Sequence, residues 1–257
     1  MLPVRPKVPP RLRRGISILP SLFTVASLFC GFYAIICSSA GRYQLAAYLL
    51  LAASILDVVD GQIARMTHTD TDFGVQLDSL VDVVSFGIAP AILVHAWALS
   101  SLGRIGWLIA FLYVACGTAR LARFNLRRHA DWRYNVGLPI PAAALTVAAM
   151  VNYHPERVAD GLAASAMTAV VVLVAILMIS RLRYRNFKDI DQIVRKPFLA
   201  VVTVALIYIA IAFNPQVFLA LLSLAYIISG LLPKRLGRAG SRLVGSALGA
   251  QDASEEP

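Results

Sequence analysis

Cysteine and histidine are scarce in this 257-residue chain, at three and four residues. Cys30, Cys37 and Cys116 have no paired spacing and form no cluster with histidine, so neither a disulfide framework nor a zinc site is implied. His68, His95, His129 and His154 are scattered and are expected to be structural. Acidic residues are also few, with 14 Asp and Glu against 24 Lys and Arg. What fills the chain instead is apolar. Hydrophobic residues make up 58% of it and the mean hydropathy is +0.71, values that belong to a polytopic membrane protein and not to a soluble domain. No internal repeat and no second domain are visible, and no cleavable signal peptide is expected, because residues 1–15 are basic and proline-rich and the first apolar stretch is long.

Apolar windows recur at about the 20-residue length that carries a helix across a hydrocarbon core of about 30 Å. Eight spans are predicted, at residues 16–40, 43–65, 74–100, 105–126, 138–153, 161–181, 197–213 and 216–232. The fifth is short and interrupted by Pro139 and Pro141. With the N-terminus in the cytoplasm, only Arg42, Arg104 and Arg157 of the 24 Lys and Arg fall outside. That asymmetry satisfies the positive-inside rule and calls for an even number of crossings with both termini cytoplasmic. The formal charge of +10 therefore lines one membrane face. Anionic lipid is a simpler partner for it than nucleic acid. Three regions follow: a basic cytoplasmic segment at 1–15, a membrane domain at 16–232, and a cytoplasmic tail at 233–257 that runs from basic to small and acidic and is expected to be largely disordered.

Against this background one stretch is anomalous. LDVVDGQIARMTHTDTDFGVQLDSLVD, residues 56–82, places Asp57, Asp60, Asp78 and Asp82 in apolar surroundings. An ionised Asp near mid-span costs about 2.5 to 3.5 kcal/mol on insertion scales, and four together repel one another. Asp57, Asp60, Gly61 and Ala64 share one face of the second helix, and Gly74, Asp78 and Asp82 share one face of the third. Counting from the cytoplasmic ends, Asp57 and Asp82 lie at about 12 Å depth and Asp60 and Asp78 at about 6 to 8 Å, at a rise of about 1.5 Å per residue. The two helices are expected to be an antiparallel neighbouring pair whose acids meet. Oxygen ligands alone suit Mg²⁺ or Mn²⁺ better than zinc, and two such ions would balance four carboxylates. Gly61 and Gly74, in register with the acids, allow close approach either of the helices or of a phosphate group.

The series Asp57, Asp60, Gly61, Ala64, Arg65, Gly74, Asp78 and Asp82 matches without a gap the signature of the CDP-alcohol phosphotransferases, D-x2-D-G-x2-A-R-x8-G-x3-D-x3-D. ILPSLFTVASLFCGF in the first helix, LDSLVDVVSFGIAPA, ACGTARLARFN and VGLPIPAAA further resemble the phosphatidylserine synthase branch of that family, over roughly residues 16–230. Many members carry Asn where this chain has Ser21 and Ser27. The resemblance implies an all-α catalytic membrane domain and transfer of a phosphatidyl group from CDP-diacylglycerol to L-serine, releasing CMP. It also implies two divalent cations, Mg²⁺ or Mn²⁺, on Asp57, Asp60, Asp78 and Asp82, with Asp82 also acting as general base. Gly61, Ala64, Arg65, Gly74 and Ser85 would border the CDP moiety together with the acids, and Arg120, Arg123 and Asn125 would serve the carboxylate of serine or a lipid phosphate. A homodimer in the cell membrane, its site facing the cytoplasm, is implied as well. Other acceptors (glycerol phosphate, inositol phosphate or choline) keep the same fold and metals. Intramembrane acids also occur in ion-coupled transporters, but those are built on inverted repeats and broken helices that are not evident here.

Overall fold

The computed structural model describes residues 10–67, 72–126, 134–158, 161–180 and 182–185. The expected seventh and eighth spans, the tail 233–257, residues 1–9, His68 and His129 lie outside the described residues. The elements run α1 (Pro10–Ser39), α2 (Tyr43–Thr67), α3 (Asp72–Asp82), α4 (Ala89–Val94), α5 (Arg104–Leu126), β1 (Tyr134–Val136), α6 (Ile140–Tyr153), α7 (Leu162–Ile179) and β2 (Arg183–Arg185). Five helical stretches among the described residues are long and apolar enough to cross a membrane: Ser21–Ser39, Tyr43–Gly61, Phe73–Leu102, Arg104–Leu126 and Leu162–Ile179. Helix α1 starts six residues before the predicted span, at a proline whose fixed φ suits a first helical position. Large apolar side chains such as Phe29, Ile55, Leu80 and Phe111 point outward, as hydrocarbon permits and water would not.

The expected fifth span is α6, only 14 residues and about 21 Å at a rise of about 1.5 Å per residue. It is buried on nearly every side, packing on α2 through alanine-rich faces that include Ala46, Ala47, Ala143, Ala144 and Ala148. Just before it the chain turns at Gly137, φ +82°, where the N–H donates to the carbonyl of Leu182 at 2.8 Å. A Cβ at that position would run into the Met178 carbonyl oxygen, so both the backbone and the space require glycine. The architecture is all-helical as expected, with one small addition: a three-residue antiparallel ladder, Tyr134 opposite Arg185 and Val136 opposite Arg183.

The third span is not a single α-helix. Between α3 and α4, and again after α4, the chain widens into i→i+5 turns at Val83–Ile88 and His95–Leu99, then finishes in a 3-10 turn at Ser100–Leu102. Pro90 supplies a reason for the first. In a regular helix its ring would press on the carbonyl of Phe86, which its missing N–H could not satisfy. The widened turn instead sends the Ala89 N–H to the Val84 carbonyl, and the Tyr113 hydroxyl donates to the Phe86 carbonyl at 3.3 Å. In the second, the carbonyls of Ala96 and Trp97 accept from the Tyr43 hydroxyl at 3.1 Å and the Val158 N–H at 3.0 Å.

These contacts sort the bundle into two ends. At one end the Trp97 indole donates to the carbonyls of His154 and Glu156, and Arg157 donates to Ser100. Arg42, in the connection before α2, and Arg104, the first residue of α5, fall at the same end. The carboxylates, Arg120, Arg123 and the ladder fall at the other.

Candidate functional site

Asp57, Asp60 and Asp78 each present a carboxylate oxygen within 4.8 Å of the others. Asp82 stands beside Asp57, and its Oδ1 is buried with no hydrogen-bond partner. Two ionised carboxylates cannot stand side by side without a proton or a cation between them, and a buried oxygen with nothing on it is costly. The donor set is oxygen only, which fits a hard divalent cation and does not fit zinc.

The two spans that carry these acids are neighbours, as expected: α2 meets the third span at the widened turn and at α4. Helix α1 packs along α2 and also against α3 and that turn, so it lies beside both. The connection is shorter than the eight residues expected, because α2 continues to Thr67 and α3 begins at Asp72.

Helix α1 holds both neighbours through a stripe of small polar residues at i, i+3 and i+7. Thr24 Oγ1 donates to Asp60 Oδ2 at 2.8 Å, and Ser27 Oγ donates to the Ala53 carbonyl at 3.1 Å. The Ser85 hydroxyl in turn donates to the Ser27 carbonyl at 3.2 Å. Gly31 completes the stripe: a Cβ there would lie 2.7 Å from Ser85 Cα. The sequence reading missed Thr24 and Gly31. The spacing Thr24, Ser27, Gly31 in an otherwise apolar helix was the signal available.

The remaining expected residues are placed as follows. A Cβ on Gly61 would meet nothing within 4 Å, so this glycine borders open space and is not a helix-packing position. Gly74 lies in the first turn of α3. Ala64 and Arg65 fall in the last turns of α2, and their side chains lie outside the described residues. Ser85 is fully buried against α1. Arg120 is 6% exposed, stacks over the Phe124 ring at 5.2 Å, and stands close enough to Asp82 to attract it. Arg123 donates to the Ile179 carbonyl at 3.0 Å, and Asn125 donates to Ser79 Oγ at 2.9 Å, so these two tie α5 to the ends of α7 and α3.

The profile of the CDP-alcohol phosphatidyltransferase family matches residues 17–180. A CDP-diacylglycerol–serine O-phosphatidyltransferase of Helicobacter pylori is 34% identical over 220 residues, covering 84% of this chain and 90% of the relative. The enzyme of the same name from Bacillus subtilis is 31% identical over 171 residues, 66% of this chain and 91% of that one. An archaetidylserine synthase of Methanothermobacter thermautotrophicus is 36% identical over 170 residues, 65% of this chain and 69% of the relative. With the family profile lying over all four acids and with relatives matched along most of its length, this chain belongs to the CDP-alcohol phosphatidyltransferase family.

Proposed function

We propose that this chain is an integral membrane phosphatidyltransferase that makes phosphatidylserine and CMP from CDP-diacylglycerol and L-serine. The observation that carries the reading is the meeting of Asp57, Asp60 and Asp78 within 4.8 Å, with Asp82 beside Asp57. The relatives' names support serine as the acceptor.

Asp57, Asp60, Asp78 and Asp82 would hold two divalent cations, Mg²⁺ or Mn²⁺, which when bound neutralise the acids and supply Lewis-acid stabilisation of phosphoryl charge. Asp82 accepts the proton of the serine hydroxyl, using the oxygen that has no other partner, as the serine oxygen attacks the diacylglycerol-bearing phosphorus. The new P–O bond forms as the bond to the CMP oxygen breaks. Open space over Gly61 leaves room for the nucleotide phosphates, with Ala64, Arg65 and Gly74 bordering them. Ser85 supports the site through its bond to α1. Arg120 faces the acids and suits the serine carboxylate, whereas Arg123 and Asn125 brace the helix ends around it.

The same proposal takes the chain as eight spans in the cell membrane with both termini cytoplasmic, residues 16–232 forming the catalytic domain between the segments 1–15 and 233–257. A site at the cytoplasmic edge leaves the acyl chains in lipid while CMP and serine exchange with water. The family resemblance extends the proposal to a homodimer. Purified protein given CDP-diacylglycerol, Mn²⁺ and a single alcohol tests the acceptor. CMP release is expected with serine; release with inositol phosphate but not with serine would replace the assignment.

A further inference from the structure

We infer that Thr24 of α1 is a positioning residue for the cation site, acting through Asp60. The inference rests on the reading of Asp60 as a cation ligand. Hydroxyls in apolar helices ordinarily turn back on their own backbone. Ser38, Ser54, Ser79, Thr118, Thr146 and Thr168 do so here, each donating to the carbonyl four residues earlier at 2.7 to 3.0 Å. Thr24 donates across to a carboxylate 36 positions away, in a contact where both residues are at most 6% exposed.

The consequence for Asp60 is directional. Its Oδ2 accepts from the Thr24 hydroxyl at 2.8 Å. With that donor on one oxygen, the carboxyl group is held beside Asp57 and Asp78 and its rotation is restricted. Helix α1 packs along α2 and against α3, so it is placed to supply this constraint. Donors behind a ligating carboxylate raise affinity by orienting it, and losing one typically costs 10- to 100-fold in metal affinity.

The test is a Mn²⁺ titration of the purified full chain in detergent, with free Mn²⁺ read by electron paramagnetic resonance and no substrate present. Thr24→Val keeps the shape and removes the hydroxyl. Thr24→Ala is the second variant should the extra methyl disturb folding. Either is expected to weaken Mn²⁺ binding by about 10-fold or more, whereas Thr24→Ser, which keeps the donor, stays near the parent value. Asp60→Asn is expected to lose tight binding. Parent-like affinity in Thr24→Val and Thr24→Ala, alongside loss in Asp60→Asn, would overturn the role of Thr24 and leave the cation site standing. Weak binding in Thr24→Ser equal to that of Thr24→Val would overturn it too, since the hydroxyl would not be the cause. Parent-like binding in Asp60→Asn would overturn both readings.

Discussion

The Tyr113 hydroxyl on α5 donates to the backbone carbonyl of Phe86, and Phe86 stands four residues before Pro90. That carbonyl is the one a proline at position 90 deprives of its helical partner. A buried side chain from another helix therefore completes the backbone hydrogen bonding of the segment that begins directly after Asp82. Tyr113→Phe is expected to destabilise the protein by about 1 to 3 kcal/mol, because it strands a buried carbonyl at almost constant volume. Pro90→Ala returns an N–H near that carbonyl, so in thermal unfolding the double variant should be more stable than the two single losses predict. Strict additivity would show that the two residues are not linked through Phe86.

At Gly31 a new methyl would lie 2.5 Å from Ser85 Oγ and 2.7 Å from Ser85 Cα. The first clash could be relieved by truncating Ser85, but the second is with backbone. Gly31→Ala is expected to cost about 1 to 3 kcal/mol of stability and to lower CMP release by moving α1 off the third span. Adding Ser85→Ala should not restore either quantity. Full recovery in the double variant would mean that only the hydroxyl was in the way.

Asp82→Asn keeps the size of the side chain and removes its capacity to take a proton. CMP release is expected to fall by about 100-fold or more while the protein still inserts, folds and binds nucleotide. Turnover at the parent rate would remove Asp82 from the base role. Treatment with a chelator should silence the parent protein, and Mg²⁺ or Mn²⁺ should restore it where Zn²⁺ does not, because every ligand is an oxygen.

The two arginines of α5 should separate in kinetics. Arg120 faces the acids, so Arg120→Ala is expected to raise the KM for serine with little change in melting temperature. Arg123 caps the Ile179 carbonyl, so Arg123→Ala is expected to lower the melting temperature with the serine KM unchanged. The reverse pattern in the two assays would exchange their assignments.

What the sequence by itself determined is what depends on periodicity and on charge along one dimension. The four acids, paired at i, i+3 on one helix and i, i+4 on the next, can only share helix faces. The sites of Arg42, Arg104 and Arg157 likewise mark one end of the bundle, as the contacts around Trp97 and Ser100 bear out. Span lengths were legible wherever hydropathy alone decides them; α6 was legible only in part, since its ends are set by Pro139 and by burial against α2.

Tertiary structure decided the rest, because it turned on which distant group satisfies a polar atom. Hydroxyls such as those of Ser38, Ser54 and Thr146 bond their own helix, and only the placement of α1 against α2 brings that of Thr24 to Asp60. Arg123 and Asn125 look like ligand residues in one dimension, yet helix ends 46 to 56 positions away claim them. The widened turns of the third span depend on Tyr43, Tyr113 and Val158 reaching carbonyls that a regular helix would have satisfied itself. No local pattern specifies those partners, since in hydrocarbon a free carbonyl takes whichever donor the packing brings to it.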